Sequence, residues 1–304
     1  MKYIPFIKYS KIWLFLSAAL AVVSIIIVAK WGLKFGIDFT GGSLMEIEFA
    51  KARPENNLVI ATLERSEITN VVIQKTGDDG IIVRTAAMTE ESHQKALTAV
   101  KNEFEKDGNT ITESRFEMIG PSVSQQLRQR SIWAFILVCL GIIAYVAYAF
   151  RGVSRPVASW KYGALCVVAL AHDVLIVVGL FSFLGHYFGT EVDVAFIVAV
   201  LTILGYSVND TIVVYDRIRE KLLHRTSESF EDLVNAGLNQ TVMRSINTTL
   251  TTLLPLFALY FYGGATIHSF SLALLVGITS GAYSSIFIAS PLLVYVERWQ
   301  KKKA

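Results

Sequence analysis

Six apolar runs, each long enough to cross a bilayer, constrain this chain more than any other feature of its sequence. A membrane-spanning helix needs about 20 consecutive, mostly apolar residues. Runs of that kind lie at 12–32, 131–150, 162–185, 193–215, 242–262 and 267–295. Charged residues make up only 17% of the chain, against about 25% in soluble domains. The sequence therefore predicts a polytopic α-helical membrane protein with six transmembrane helices.

The positions of Lys and Arg predict the orientation of these helices, because basic residues concentrate in cytoplasmic loops. They lie before the first run, after the second, after the fourth and after the last: Lys2, Lys8, Lys11, Arg151, Arg155, Lys161, Arg217, Arg219, Lys221, Arg225, Arg298, Lys301, Lys302 and Lys303. The loops 185–193 and 263–268 contain no Lys or Arg. Both termini are thus predicted to be cytoplasmic. The first run exceeds the ~7–15 apolar residues of a signal peptide, which favours an uncleaved anchor.

The segment between the first two runs has the pattern of a small α+β domain. Residues 43–49 alternate as a strand does, and 70–86 reads as two strands joined by a Gly-Asp turn. A further strand is expected in 110–120, and a helix from the N-cap Thr89 to Gly108. The predicted parts are 1–32, with the tail and first helix, the external domain 33–130, and 131–304, with the other five helices.

Composition and motifs exclude several classes of function. Cys139 and Cys166 both lie inside predicted spans, which excludes a disulfide framework and gives neither a metal-ligand partner. The net charge is only +3, and the basic residues flank apolar runs instead of forming an arm for nucleic acid. No phosphate loop, HExxH motif or GxSxG elbow is present. We expect no metal, no cofactor and no covalent catalysis.

Three ionisable residues, Asp173, Asp210 and Arg244, lie within predicted spans. A charge at the bilayer centre costs from ~2.5 to more than ~10 kcal/mol, so such residues are functional candidates. With a rise of about 1.5 Å per residue, Asp173 lies near mid-membrane. Asp210 and Arg244 lie at similar depths on consecutive antiparallel spans. This match predicts a proton-relay pair, in which a nearby guanidinium favours the ionised carboxylate, with Asp173 as a further candidate.

Each of these residues also has a structural interpretation. Asp210 is an interfacial residue if its helix ends early. Independently, Arg244 could be a basic anchor on the cytoplasmic side that extends to the headgroups. Asp173 could make a static hydrogen bond to another helix. Asn209 either supports Asp210 or bonds a different helix. His172 precedes Asp173, but consecutive residues point about 100° apart on a helix, so the two need not share a face.

Two patterns of small or polar residues concern helix packing. The fifth span carries polar residues at helical spacing, predicted to line a polar seam facing the protein interior: Arg244, Asn247, Thr248, Thr251 and Thr252. The sixth span has a small residue at every fourth position, which favours close helix approach: Gly277, Gly281 and Ser285.

A glycine-rich stretch follows the first span. Gly36, Gly41 and Gly42 are expected to permit a tight turn at the membrane exit, with Asp38 and Thr40 hydrogen-bonded to it. A phosphate cradle is not favoured, because no helix N-terminus is expected after the glycines.

Five stretches in order along the chain resemble the SecF family, whose members form the smaller part of the SecD–SecF complex of bacterial protein export. They are FGIDFTGGSLMEIEF (35–49), IGPSVSQQL (119–127), AHDVLIVVG (171–179), LTILGYSVNDTIVVYDRIRE (201–220) and VMRSINTTLTTLLPL (242–256). The resemblance implies a six-helix bundle of the resistance-nodulation-division type, in the inner membrane, with a ferredoxin-like periplasmic domain.

The resemblance also implies partners and a function. The partners would be SecD, the SecYEG channel, often YajC, and the translocating preprotein. The complex would use the proton motive force to promote late export, with Asp210 and Arg244 at the family's proton-linked positions. Two alternatives are a proton-coupled small-molecule efflux subunit and an assembly factor that transduces no energy.

Overall fold

A computed structural model describes residues 3–77, 79–106, 108–151, 157–223 and 229–303. It divides the chain into a unit of Met1–Lys34 with Ile132–Ala304 and a second unit of Phe35–Ser131. The predicted domain boundaries, 33 and 130, lie within two residues of this division. Four residues named in the loop and turn predictions lie outside the described residues: Lys2, Asp78, Arg155 and Arg225.

The described elements alternate between long helices and one short sheet. In chain order they are α1 (Ser10–Trp31), α2 (Ile37–Thr40), β1 (Gly42–Phe49), α3 (Asn56–Arg65), β2 (Val72–Thr76), β3 (Gly80–Thr85), α4 (Glu90–Phe104), β4 (Ile111–Ile119), α5 (Pro121–Ala149), α6 (Ser159–Phe188), α7 (Val194–Leu223), α8 (Phe230–Tyr262), α9 (Ala265–Ser284), a π-helical turn (Ser285–Ala289) and α10 (Ser290–Lys303).

The second unit is a four-stranded antiparallel sheet in the order β2-β3-β1-β4, covered by α3 and α4. This βαββαβ order confirms the ferredoxin-like expectation. Met45, Ile47 and Phe49 of β1 are buried against the helices, as the alternation predicted. Leu44, which alternation puts on the opposite face with Glu46 and Glu48, is also buried.

The helices of this unit differ from the sequence prediction in two respects. Thr89 caps α4, because its hydroxyl accepts a hydrogen bond from Ser92 N at 3.3 Å. The helix ends at Phe104, and the expectation that it would run to Gly108 was wrong. Its apolar face stops there, and the Glu105 carboxylate accepts a hydrogen bond from Ile111 N at 3.3 Å. Helix α3 was not predicted, although Val59 and Leu63 supply an i, i+4 buried pair.

The first unit is a helical bundle in which α9 contacts α6, α7 and α8, and α1 packs on α6. Five segments are long and apolar enough to cross a membrane within the described ranges: α1, α5, α6, α7 and Ile267–Lys302. The fifth predicted span corresponds to α8, a helix of 33 residues that packs in the same bundle. Its Ser, Asn and Thr residues leave it less apolar than the others. The chain is therefore a multi-pass membrane protein.

Helices α7 and α9 approach closely where α9 carries small residues. A Cβ atom on Gly277 would lie 2.2 Å from Ile203 Cδ1, and one on Gly281 would lie 2.8 Å from Ser207 Cβ. One turn on, the Ser285 hydroxyl lies 3.0 Å from the Thr211 hydroxyl. Only residues without a side chain, or with a small one, allow this separation.

The last predicted span is not one uninterrupted α-helix, because the π-helical turn separates α9 from α10. The wider turn frees backbone carbonyls that a bilayer cannot hydrate. Side chains satisfy them: Ser290 donates to the Ser285 carbonyl at 2.9 Å, and the Tyr215 hydroxyl donates to the Ala289 carbonyl at 3.1 Å.

Candidate functional site

Asp210 lies half-buried where α7 packs on α8. The Ser245 hydroxyl of α8 donates a hydrogen bond to its Oδ2 atom. One turn away, the Tyr206 hydroxyl lies 3.1 Å from Thr252 Oγ1. The two helices are therefore antiparallel, with Asp210 level with Ser245, one residue from the position that the depth estimate gave.

Arg244 makes no ion pair with Asp210, although the depth match predicted one. Ser245 occupies the contact, and the preceding residue is rotated by about 100° on the helix, so the Arg244 side chain is exposed on the bundle. Its charge still acts on Asp210 at longer range. Arg244 lines a cleft of about 280 Å³ together with Asp216, Arg217 and Glu220.

The polar stripe of α8 faces outward, so the prediction that it faces the interior of this bundle was wrong. Asn247, Thr248 and Thr251 are exposed, as is Asn209 on α7. The threonine hydroxyls donate to carbonyls of their own helix: Thr248 to Arg244 O at 2.8 Å, and Thr251 to Asn247 O at 2.9 Å. The side chains of Asn209 and Asn247 make no hydrogen bond to any residue that the structure describes. We call this surface of α7 and α8 the polar face.

Asp173 lies in a different environment, fully buried between α6, α7 and α9. Three serine hydroxyls donate to its carboxylate: Ser207 and Ser284 to Oδ2, each at 2.7 Å, and Ser280 to Oδ1 at 2.8 Å. We call these three residues the serine cage. Each donor stabilises a negative charge on the carboxylate.

His172 contacts this carboxylate despite being its neighbour in sequence. Its Nδ1 atom lies 3.3 Å from Asp173 Oδ1. The sequence did not predict this contact, because consecutive residues point in different directions on a helix. It forms because both side chains bend toward α9. The other ring nitrogen, Nε2, is buried and has no hydrogen-bond partner within the described ranges.

The glycine-rich turn needs glycine at two of its three positions. Gly41 has φ 73° and Gly42 has φ 131°, whereas Gly36, at −74°, has a value that any residue adopts. A Cβ on Gly42 would also lie 2.6 Å from Thr85 O. Thr40 donates to Gly36 O at 3.0 Å. A helix does follow Gly36, contrary to the expectation, but α2 is a single turn, with Asp38 as its first-turn acid.

The described residues contain no group of three His, Cys, Asp or Glu side chains placed to hold a metal ion. Cys139 and Cys166 are both free thiols. The bundle thus presents isolated carboxylates with hydroxyl partners, an arrangement suited to holding or releasing a proton.

Sequence reasoning missed the serines that surround both carboxylates. Ser280 and Ser284 have i, i+4 spacing, and Ser207 precedes Asp210 by three residues, but nothing in these spacings indicates that two helices meet at Asp173. Ser245 was overlooked because the neighbouring Arg244, as a charged residue, was taken as the partner of Asp210.

Comparison with known proteins identifies the family. The model of the C-terminal part of the SecD/SecF protein export membrane proteins matches residues 99–299, and that of the SecD/SecF GG motif matches 25–52. A protein translocase subunit SecF from Thermobaculum terrenum is 43% identical over 98% of this chain and 95% of its own. The chain belongs to the SecF family. Another such SecF subunit, from Anaerolinea thermophila, is 38% identical over 97% of this chain and 96% of its own.

The fold also matches solved structures of SecDF. The crystal structure of SecDF from Thermus thermophilus, described as a translocon-associated membrane protein, superposes with a TM-score of 0.83 at 34% identity. The match covers 97% of this chain but 39% of that one, so SecDF contains a large part with no counterpart here. SecDF in its super-membrane-facing form gives a TM-score of 0.66. These matches support the expected resistance-nodulation-division type of bundle for this SecF-family chain.

Proposed function

We propose that this chain is an accessory subunit of the Sec protein translocase. Together with SecD it uses the proton motive force to promote late export of preproteins across the bacterial inner membrane, without covalent catalysis. The names of its SecF relatives support the export role, and the multi-pass bundle supports the location. The basic loops support cytoplasmic termini, and they thereby support a periplasmic location for the α+β unit, which follows the first span.

The environment of Asp210 is the observation that carries the energy-coupling part of this proposal. The carboxylate is half-buried and accepts a hydrogen bond from Ser245 of α8, the neighbouring helix. Ionised, it holds this hydroxyl as a donor; protonated, it becomes a donor itself and weakens that link between α7 and α8. Each charge that crosses the membrane supplies about 2.3 kcal/mol per 100 mV. Over several protons this energy is enough to bias a domain movement.

The polar face supports SecD as the direct partner. Lipid tails offer no hydrogen bonds, so amide groups such as those of Asn209 and Asn247 are costly when they face lipid. A second helical subunit over this face would cover them and enclose Asp210 and Arg244. SecDF contains a large additional part that could do so. The SecYEG channel and YajC are further proposed partners, which engage the assembled pair.

Cysteine crosslinking tests where SecD docks. Asn247→Cys, on the polar face, is expected to crosslink to SecD in membranes, whereas Leu137→Cys, on the exposed side of α5, is not. The background carries Cys139→Ala and Cys166→Ala. Efficient crosslinking from Leu137→Cys alone would place SecD elsewhere.

Neutralising Asp210 tests the function itself. Asp210→Asn is expected to lower the proton-driven component of export in inverted vesicles at least about tenfold, equivalent to roughly 1.4 kcal/mol, because the amide cannot take up a proton. The matched control is Asp216→Asn, on the same helix, where the exposed carboxylate pairs with Arg219 at 3.5 Å. Full proton-driven export by Asp210→Asn, with SecD still bound, would contradict energy coupling through Asp210. This chain would then act as an assembly factor that transduces no energy.

A further inference from the structure

The segment that precedes α1 packs against the beginning of α8. Within this segment, residues 3–9, the side chains of Phe6 and Ile7 are buried in the same apolar cluster as Leu238 of α8. Phe6 also packs edge-on against Phe287 of the π-helical turn, with the ring centroids 5.9 Å apart. We call residues 3–9 the N-terminal strap. The strap thus has an anchor in the bundle outside α8.

Two asparagines of α8 bind the backbone of the N-terminal strap. Asn239 accepts a hydrogen bond from Ile4 N at 2.8 Å and donates one to Ile4 O at 2.8 Å. Asn235 donates to the same carbonyl at 3.1 Å and accepts from Ile7 N at 3.2 Å. We call Asn235 and Asn239 the asparagine clamp. Each amide uses both its donor and its acceptor, a combination that an ionised aspartate lacks.

The asparagine clamp fixes the rotation of α8 about its axis. Successive residues of an α-helix lie about 100° apart, so Arg244, nine residues after Asn235, lies on the opposite side of the helix. Ser245 lies about 80° from Asn235, on the side where its hydroxyl donates to Asp210. The proline inside α8 is Pro255, beyond Ser245, so the helix transmits this relation without a kink.

A rotation that brought Arg244 to Asp210 would break the clamp. Arg244 would have to move by about 100° into the place of Ser245. The same rotation would carry the buried Asn235 away from the N-terminal strap. The four hydrogen bonds between the clamp and the strap therefore oppose an ion pair between Arg244 and Asp210.

We propose that Asn235 and Asn239 are positioning residues for the candidate proton site. Bound to the N-terminal strap, they hold α8 in the rotation that places Ser245, and not Arg244, against Asp210. Release of the strap lets α8 rotate toward the ion pair. The consequence for export rests on the proposed energy coupling at Asp210, whereas the rotation itself does not.

Disulfide trapping in membranes tests the rotation, with the full chain carrying Cys139→Ala and Cys166→Ala and with cysteine-free SecD bound. In an Asp210→Cys background, a second cysteine replaces either Ser245 or Arg244. A disulfide forms readily only where the two Cβ atoms face each other, so the ratio of the two yields reports the rotation of α8. With the clamp intact, Ser245→Cys is expected to give the larger yield.

Variants of the strap and of the clamp should change this ratio. Ile4→Pro removes the N–H that donates to Asn239, whereas Ile4→Ala keeps it and shortens a side chain that is 46% exposed. Ile4→Pro is expected to lower the ratio at least about fivefold, as one lost hydrogen bond of about 1 kcal/mol implies, and Ile4→Ala to leave it unchanged. Asn235→Asp combined with Asn239→Asp removes the donors to Ile4 O and should also lower the ratio.

The yield ratio separates positioning from simple stabilisation of the fold. A clamp that only stabilised the fold would lower both yields alike, and an unchanged ratio in Ile4→Pro or in the double aspartate variant would overturn the proposal. Export gives a separate result. If Asp210→Asn retains full proton-driven export, the proposed energy coupling fails, and the yield ratio still decides whether the clamp positions α8.

Discussion

The two intramembrane carboxylates of this chain have the same chemistry and opposite surroundings. Asp173 is fully buried and held by hydroxyls from α7 and α9. Asp210 is half-buried, bonded to Ser245 of α8, and lies beside an exposed polar face. A carboxylate enclosed by three donors resists any change, because each hydroxyl would need a new acceptor. One at a surface, with few donors, can change its charge at lower cost.

From this comparison we propose a structural role for Asp173 and proton exchange at Asp210. Asp173 ties three helices together where the bundle is closed. Asp210 is only half-buried and lies beside the exposed polar face. A charge in the membrane is thus not by itself evidence of a relay, since the donors around it decide how readily it changes.

The largest expected effect comes from removing the enclosed carboxylate. Asp173→Ala is expected to lower the free energy of unfolding by about 2–4 kcal/mol, because three buried hydroxyls lose their acceptor. Asp210→Ala should change it by less than about 1 kcal/mol. Reversible unfolding in mixed micelles measures both. Equal losses in the two variants would break the comparison.

A smaller effect is expected from separating the helices that form the serine cage. Gly277→Ala places a Cβ 2.2 Å from Ile203 Cδ1 and should cost about 1–3 kcal/mol through overpacking, while moving Ser280 and Ser284 away from Asp173. The control is Gly141→Ala on α5, where nothing lies within 4 Å of the added atom. The same unfolding measurement applies. An unchanged free energy of unfolding in Gly277→Ala would show that the serine cage tolerates a wider separation of α7 and α9.

The smallest effect extends the comparison to fully exposed carboxylates of the α+β unit. A hydrogen bond from Lys95, with its positive charge, lowers the pKa of Glu67; hydrogen bonds from Gln94 and then His93 lower the pKa of Glu90. Because the folded values lie below the ordinary 4.5, the stabilisation is present above that pH and is lost as the pH falls through the folded values.

Hydrogen exchange of the β1 amides, corrected for intrinsic rates, measures this loss in the full chain. Glu67→Gln combined with Glu90→Gln should flatten the dependence of β1 protection on pH below about pH 4.5. The slope of that dependence near neutral pH should not change, because neither glutamate titrates there. An unchanged acid profile in the double variant would assign the acid sensitivity of this unit to other groups.

Local patterns in the sequence predicted most of the fold. The apolar runs, the alternation around Met45 and Ile47, and the N-cap Thr89 each depend on neighbours within a few residues, so each could be interpreted directly. Helix α3 was missed because it buries only Val59 and Leu63 and carries polar residues elsewhere. The level of Asp210 on α8 was predicted to within one residue, because helical rise is regular.

The contacts between helices could not be predicted in the same way. The depth of a residue gives its level in the membrane but not the rotation of its helix. A shift of one residue in that rotation puts Ser245, and not the predicted Arg244, in contact with Asp210. The same uncertainty reversed the direction of the polar stripe. The serine cage depends on Ser207, Ser280 and Ser284 meeting Asp173 in space, and no spacing along one helix encodes such a meeting.

The π-helical turn at Ser285–Ala289 determines which residues of α10, the helix that follows it, face the bundle. Its one extra residue rotates the faces of α10 by roughly 100° from where an unbroken α-helix would carry them. Removing a single residue there would turn the buried Glu297 toward a new neighbour. Length in this short segment is therefore under tighter constraint than the identity of most of its side chains.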